Sequence, residues 1–190
     1  MPRKPTAKAY LDLVAPLRDV LYRHARRTVW NAALVDDVIQ ETLLIAWREF
    51  TRYEPGTNFR AWVFRILVNV TFKFNKQEAR RHEVALPDSA TDLFAAIERE
   101  EAWVRLLERP EMLMQLLDGR LTRALQRLGE HERQCLLLRL LEEFTYKDIA
   151  SMVEIPVGTV MSHVHRARIK LRERLAELAV EQGLIKESAR

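Results

Sequence analysis

The stretch from Thr145 to Arg174, TYKDIASMVEIPVGTVMSHVHRARIKLRER, constrains the chain more than any other. It carries two helical patterns broken by one tight turn. Thr145 followed three residues later by Asp148 is a capping-box signature, in which a hydroxyl and a carboxylate satisfy free amides at a helix start. Ile149 and Val153 are four apart and share a face, and Ala150 is small where a crossing helix must approach closely. Pro156 disfavours helical geometry at Ile155 yet is tolerated at a helix start, so it ends one helix and opens the next. In the second helix Val160, Val164, Ala167 and Leu171 recur at helical spacing and are expected to face a core. Thr159, Ser162, His163, Arg166 and Lys170 fall on the opposite stripe, short donors first and cations later. That order suits a recognition helix, whose N-terminal part meets base edges while flanking cations, here Arg168 and Lys170, meet phosphates. A plain amphipathic helix with a solvated basic face would lack the paired helix, the turn and the cap. The pattern is that of a DNA-binding helix-turn-helix.

The rest of the 190 residues is read as helix too, because strand-like alternation is absent over any useful length. The spacing of apolar residues predicts helices at 8–29, 32–51, 58–82, 94–107, 111–128, 131–143, 146–153 and 157–181. Charge is distributed unevenly around a net +4 and a pI of about 9.4. Residues 60–82 hold Arg60, Arg65, Lys73, Lys76, Arg80 and Arg81 against the single acid Glu78, whereas 83–118 hold nine acids against three arginines. Basic character returns at Arg166, Arg168, Lys170, Arg172 and Arg174. Two basic surfaces separated by an acidic stretch imply two contacts with a polyanion. The stretch 83–92, with Pro87, Ser89, Thr91 and two aspartates, reads as a linker.

The N-terminal half carries a second signal. In Val35–Trp47, VDDVIQETLLIAW, the residues Val38, Thr42, Leu43, Ala46, Trp47 and Phe50 form a stripe expected to be buried. Asp37, Gln40, Glu41, Leu44 and Arg48 form another, which on composition alone is solvated surface. A turn-rich loop from Tyr53 to Asn58 leads into Phe59–Lys76, where aromatics and cations interleave, with Phe59, Trp62, Ile66 and Val70 on an expected core face. Loop pockets and rings beside a basic helix suit single-stranded nucleic acid, the rings holding unstacked bases and the cations tracking phosphates.

The order DDVIQETLLIAW, a short loop, FRAWVFRILVN, a linker, then LGEHERQCLLLRLLEEFTYKDIASMVEIPVGTVMSHVHRARIKLRERL resembles bacterial RNA polymerase sigma factors of the extracytoplasmic-function (group 4) type in the sigma-70 superfamily. Coverage runs from about Leu11 to Leu175. The resemblance implies an all-α protein of two small helical domains, 8–82 and 111–181, joined by a flexible acidic linker at 83–110. It implies a factor that binds core RNA polymerase and directs promoter-specific initiation, without catalysis of its own. Asp37, Gln40 and Glu41 would dock on the clamp of the polymerase, which replaces the solvated-surface reading of that stripe. Tyr53 and Asn58 in the loop would capture a flipped base of the −10 element, with Arg60, Arg65, Asn69 and Lys73 reading and melting it. Thr159, Ser162, His163, Arg166, Arg168 and Lys170 would read the −35 element. Where relatives commonly carry a cation and an arginine this chain has Met161 and His163, so its recognition helix is less basic. Partners implied are core polymerase, promoter DNA and an anti-sigma factor.

A helix-turn-helix repressor or activator would share the basic helix but has no use for the DDVIQET face. A catalytic reading finds nothing to stand on: His24, His82, His131, His163 and His165 lack metal-ligand spacing, and no phosphate-cradling glycine loop occurs. No cofactor is expected. The lone Cys135 excludes an intrachain disulfide and reads as an apolar filler, and the absence of a long apolar run or signal peptide points to the cytoplasm.

Overall fold

A computed structural model describes residues 6–82, 125 and 127–181, and the regular elements among them are α-helices and three short 3-10 turns. The helices are α1 (Ala7–Val14), α2 (Arg18–Thr28), α3 (Val35–Glu49), α4 (Phe59–His82), α5 (Glu130–Leu140), α6 (Tyr146–Val153) and α7 (Val157–Glu181). The linker at 83–110 and the expected helices at 94–107 and across most of 111–128 lie outside the described residues. The chain forms two compact units, Met1–Val84 with Phe144–Val157, and Ala85–Glu143 with Gly158–Arg190.

In the first unit the single helix expected at 8–29 is two. Pro16 lacks an N–H and its ring crowds the carbonyl four residues back, so a 3-10 turn at Ala15–Leu17 separates α1 from α2. The chain leaves α2 at Thr28, and a side chain of α4 takes over the backbone groups set free there. Asn75 donates from Nδ2 to the Thr28 carbonyl at 3.0 Å and accepts the Trp30 N–H at 3.0 Å. Asn31 caps the next turn through the Ala33 N–H at 3.1 Å and donates to Glu78 Oε1 at 2.9 Å. Around this polar clamp Leu21, Ala25, Val38, Ala46, Val63, Phe64, Leu67 and Val68 are fully enclosed, and His24 meets Phe64 edge-on at 5.3 Å.

The expected inward stripe of α3 is correct for Val38, Thr42, Ala46 and Phe50, all buried, but Leu43 is half-buried and Trp47 is 43% exposed. The Tyr10 ring of α1 packs tilted against Trp47 at 5.3 Å between centroids, and its hydroxyl donates to the Leu43 carbonyl at 2.8 Å. On α4 the expected core face is only partly right: Phe59 and Val70 are buried, while Trp62 and Ile66 are half-buried. Val63, Phe64, Leu67, Val68 and Thr71 are the residues wholly enclosed. The reason is that α4 packs against α2 and α3 on one side and α6 on another, which buries a wider face than one amphipathic stripe.

Helix α6 begins as its sequence predicts. Thr145 Oγ1 accepts the Asp148 N–H at 3.1 Å, and the Asp148 carboxylate accepts the Thr145 N–H at 3.2 Å. It ends with Glu154 in the left-handed region (φ 58°), which turns the Ile155 N–H back onto the Ala150 carbonyl at 3.2 Å. In the second unit Cys135, Leu136, Leu138, Val160, Val164, Ala167 and Leu171 are buried, the four from α7 being those the spacing predicts. Burial pushes the Cys135 thiol up to about 12 and pulls the enclosed Arg133 guanidinium down to about 10.

Candidate nucleic-acid interface

Helix α3 turns Asp37, Gln40, Leu44 and Arg48 to solvent, with Glu41 half-buried among them. The stripe read from sequence therefore exists as a surface, and Leu44, 44% exposed, gives it an apolar centre. Glu41 is not isolated within it. Its Oε1 lies 2.7 Å from Lys73 Nζ of α4.

On α4 the spacing of four places Arg65, Asn69 and Lys73 in one row, and all three are exposed. Arg60 does not join them. It stands about 140° away around the helix, and its guanidinium lies over two rings, 4.5 Å from the Phe144 centroid and 5.0 Å from Phe64. Arg65 at the head of the row pairs with Glu154 at 3.1 Å. Phe144, Glu154 and α4 all belong to the first compact unit.

The loop before α4 is a built turn. Tyr53 donates its hydroxyl to the Thr57 carbonyl at 2.7 Å, Thr57 Oγ1 donates to the Glu54 carbonyl at 2.8 Å, and Gly56 takes the positive φ of 93° that the turn needs. Asn58 closes the loop by capping α4, its Oδ1 accepting the Ala61 N–H at 3.0 Å. The Tyr53 ring stacks on Phe50 at 5.9 Å and meets Phe59 and Trp62 at 5.1 and 5.5 Å. Interleaved aromatics thus form one cluster with half-exposed rims at Tyr53 and Trp62 rather than a row of separate platforms.

On α7 the stripe Thr159, Ser162, His163, Arg166 and Lys170 is solvent-facing to different degrees, Ser162 exposed and the others half-buried. Ser162 Oγ donates to the Gly158 carbonyl at 2.9 Å. Arg168 stands about 180° around the helix from Arg166 and Lys170 taken together, and its Nε is buried with no hydrogen-bond partner. The sequence reading missed a carboxylate. Glu132 of α5, 7% exposed, pairs with Lys170 Nζ at 2.9 Å and with Arg166 Nε at 3.5 Å. Its signal was available, since it is the third residue after Gly129 at a helix start, where a carboxylate caps the preceding amide, here at 3.2 Å. His131 stacks on His163 at 5.8 Å, and both rings titrate below 6.5, chiefly through burial.

Two family signatures account for these elements. Sigma-70 region 2 matches residues 13–81, and sigma-70 region 4 matches residues 118–171. The chain is 32% identical over 176 residues to the RNA polymerase sigma factor CarQ of Myxococcus xanthus, covering 86% of this chain and 91% of that one. It is 30% identical over 172 residues to the extracytoplasmic-function sigma factor SigE of Mycolicibacterium smegmatis, covering 90% of this chain and 63% of that longer one. This chain is an extracytoplasmic-function sigma factor of the sigma-70 family. The sigma factor RpoE of Bartonella quintana, solved in complex with the anti-sigma factor NepR, shares its fold, with a TM-score of 0.68 at 23% identity over 90% of this chain and 98% of that one. As a sigma factor it binds core RNA polymerase and promoter DNA and directs transcription initiation. No helix among the described residues is long and apolar enough to cross a membrane, and no His, Cys, Asp or Glu cluster among them is arranged to hold a metal.

Proposed function

We propose that this sigma factor divides its work among three surfaces. The exposed stripe of α3, Asp37, Gln40 and Glu41 around Leu44, docks on core polymerase. The row Arg65, Asn69 and Lys73, with the Tyr53–Asn58 turn at its head, engages the displaced −10 strand, Tyr53 and Trp62 offering ring edges to an extruded base. Arg60, set on the Phe144 ring, reaches that strand only if it leaves its present place. Thr159, Ser162, His163 and Arg166 face base edges of the −35 element with Lys170 kept for a phosphate, whereas Arg168, expected beside Lys170, sits on the opposite side of α7 with its Nε buried and lies away from that surface. The domains are 8–82 and 111–181 with 83–110 between them, the protein works in the cytoplasm, and the chemistry of polymerisation belongs to the polymerase alone.

The observation that carries this reading is the α4 row: three polar side chains in register on the solvent side of a helix whose other faces are enclosed. Buried faces fix the helix, so the row is a rigid template, and cations at such spacing track a phosphate backbone. Extruding a base costs a few kcal/mol, which contacts along the row must offset. Changing Asn69 and Lys73 to alanine is expected to impair open-complex formation, read by permanganate reactivity, far more than polymerase binding, and a pre-melted promoter should recover part of the loss. Equal defects on duplex and pre-melted templates would refute the melting role.

A protein partner of the anti-sigma class is the regulator this reading favours. Its support is the fold shared with a sigma factor solved in complex with an anti-sigma factor. Recovery of core polymerase as the sole stable partner, with full activity whenever the protein is present, would refute it.

A further inference from the structure

We infer that Glu132, outside the recognition helix, is the positioning residue of the −35-reading surface: its carboxylate holds Arg166 and Lys170, and Arg166 in turn holds His163 with the ring proton on Nε2. The inference rests on the reading of the α7 stripe as the −35 contact and adds what sets that stripe's donor pattern.

The geometry is a relay from a fixed point. Glu132 is buried, and its Oε2 accepts the Gly129 N–H at 3.2 Å and Lys170 Nζ at 2.9 Å. Its Oε1 faces Lys170 Nζ at 3.1 Å and Arg166 Nε at 3.5 Å. A carboxylate taken out of water and bound by an amide and two cations has little freedom to move, because each lost partner leaves charge uncompensated. With Nε turned to Glu132, Arg166 brings Nη2 to 3.0 Å from His163 Nδ1. Guanidinium nitrogens only donate, so Nδ1 must accept, and a neutral imidazole accepting there carries its proton on Nε2. The charged and titratable groups facing the ring are His131 and Glu132 from α5 and Arg166 and Lys170 from α7. Burial first, then Arg166, His131 and Lys170, keep the ring neutral below its ordinary range, and Glu132 opposes them. His163 thus presents an N–H donor rather than a charge, and with Arg166 it forms a donor-only pair. Such a pair matches the acceptors of the major groove, N7 and O6 of guanine or O4 of thymine, and leaves the amino groups of adenine and cytosine without a partner.

Replacing Glu132 by glutamine retains an oxygen for the Gly129 N–H and removes the charge that holds the two cations. With the full-length protein bound to core polymerase, the preferred promoter and a series of single-base −35 substitutions would be compared by competition binding. Glu132→Gln is expected to lower affinity for the preferred −35 roughly tenfold, the scale of one good base contact. Substituted sites should be unchanged or slightly tighter, since Lys170, no longer shared with Glu132, engages its phosphate fully and steepens the salt slope by up to about one. His163→Gln, whose amide nitrogen reaches the place of Nε2, should keep the wild-type base preference. His163→Asn, whose amide reaches the place of Nδ1, should lose it. Lowering the pH should erode the wild-type preference as the ring takes a second proton and ejects Arg166. A discriminating wild type with an equally discriminating Glu132→Gln would overturn the positioning role alone, as would a uniform loss on every sequence. Equal behaviour of the two His163 variants would overturn the tautomer, and these remain informative if Glu132→Gln fails to fold. A wild type indifferent to −35 sequence would instead overturn the underlying reading of the stripe.

Discussion

Reversing the charges on α3 with Asp37→Arg and Glu41→Arg separates docking from folding, because the two are expected to respond by different orders of magnitude. Asp37 is exposed and no ion pair or hydrogen bond holds it to the described residues, so its reversal touches only the surface. Glu41 pairs with Lys73 at 2.7 Å, with the two side chains 28% and 53% exposed. Two unit charges at that distance attract by about 1.5 kcal/mol in bulk water. Ordering two long side chains takes back much of this, leaving roughly 0.2–1 kcal/mol for such an exposed pair. An arginine at 41 also faces Lys73, a repulsion of similar size, so the double variant should lose no more than about 2 kcal/mol of unfolding free energy. At an interface the same reversal acts on groups that lose water on docking, where removing one partner of a charge pair costs about 2–5 kcal/mol. Binding to core polymerase should fall from roughly thirtyfold to several thousandfold. The measurement is fluorescence anisotropy of labelled protein titrated with core polymerase, beside a urea melt of the same sample. Since Glu41→Arg also frees Lys73 of the α4 row, the single Asp37→Arg variant is the control, and it should carry a substantial share of the loss. Undiminished polymerase binding by the double variant, or a loss matched by unfolding, would refute the reasoning.

Asn75→Leu should cost the N-terminal unit roughly 2–5 kcal/mol in urea unfolding, because it strands the Thr28 carbonyl and the Trp30 N–H in a buried corner; a loss under about 1 kcal/mol would show the clamp to be incidental. The Cys135 thiol, pushed up to about 12 by burial, should resist alkylation at mildly alkaline pH in the native protein and react at once in denaturant. His131 and His163 titrate lower in the folded protein than the ordinary 6.5, so the unfolded chain binds protons first. Their contribution to stability is complete above pH 6.5 and is lost as the pH falls from there through the lower folded values; a melting temperature flat across that window would contradict it.

Much of the fold was legible because the deciding signals were local. The ends of α6 and α7 follow from Thr145, Asp148 and Pro156, whose effects act within a turn, and the predicted 146–153 and 157–181 match the observed helices. The inward faces of α7 and most of α3 followed from spacing alone. The errors mark where a neighbour decides. Trp47 falls on the core stripe by position, yet the ring that packs on it is Tyr10 of a short helix, and it stays 43% exposed. The core face of α4 was drawn as one stripe, but a helix packed on two sides buries Val63, Phe64, Leu67 and Val68 as well. Pro16 breaks an apolar period that otherwise runs unbroken from 8 to 29. Of the site, the stripes on α3 and α7 follow from periodicity and the α4 residues from the family resemblance, whereas the pairing of carboxylates with cations between helices does not. Glu41–Lys73 and Glu132–Lys170 join residues 32 and 38 positions apart, and no helical period reports on such pairs.

Those pairs give the two basic surfaces a common property. Arg65, Lys73 and Lys170 each rest on a carboxylate from outside their own helix, Glu154, Glu41 and Glu132 in turn. An exposed ion pair holds its cation by roughly 0.2–1 kcal/mol, too little to withhold it from a phosphate but enough to limit where its side chain wanders. If the α4 row meets the −10 strand as proposed, DNA displaces an internal anion rather than a cloud of small counterions at Arg65 and Lys73, and each such exchange contributes less to salt dependence than a free cation would. The buried pair is different in kind. Glu132 cannot turn to water when its cations leave, so Lys170 and Arg166 stay with it, and that corner of α7 can act only as a fixed pattern of donors. On the proposed reading, one surface thus holds cations that let go and adapt to a single strand, and the other holds cations that stay still and test the shape of a base edge.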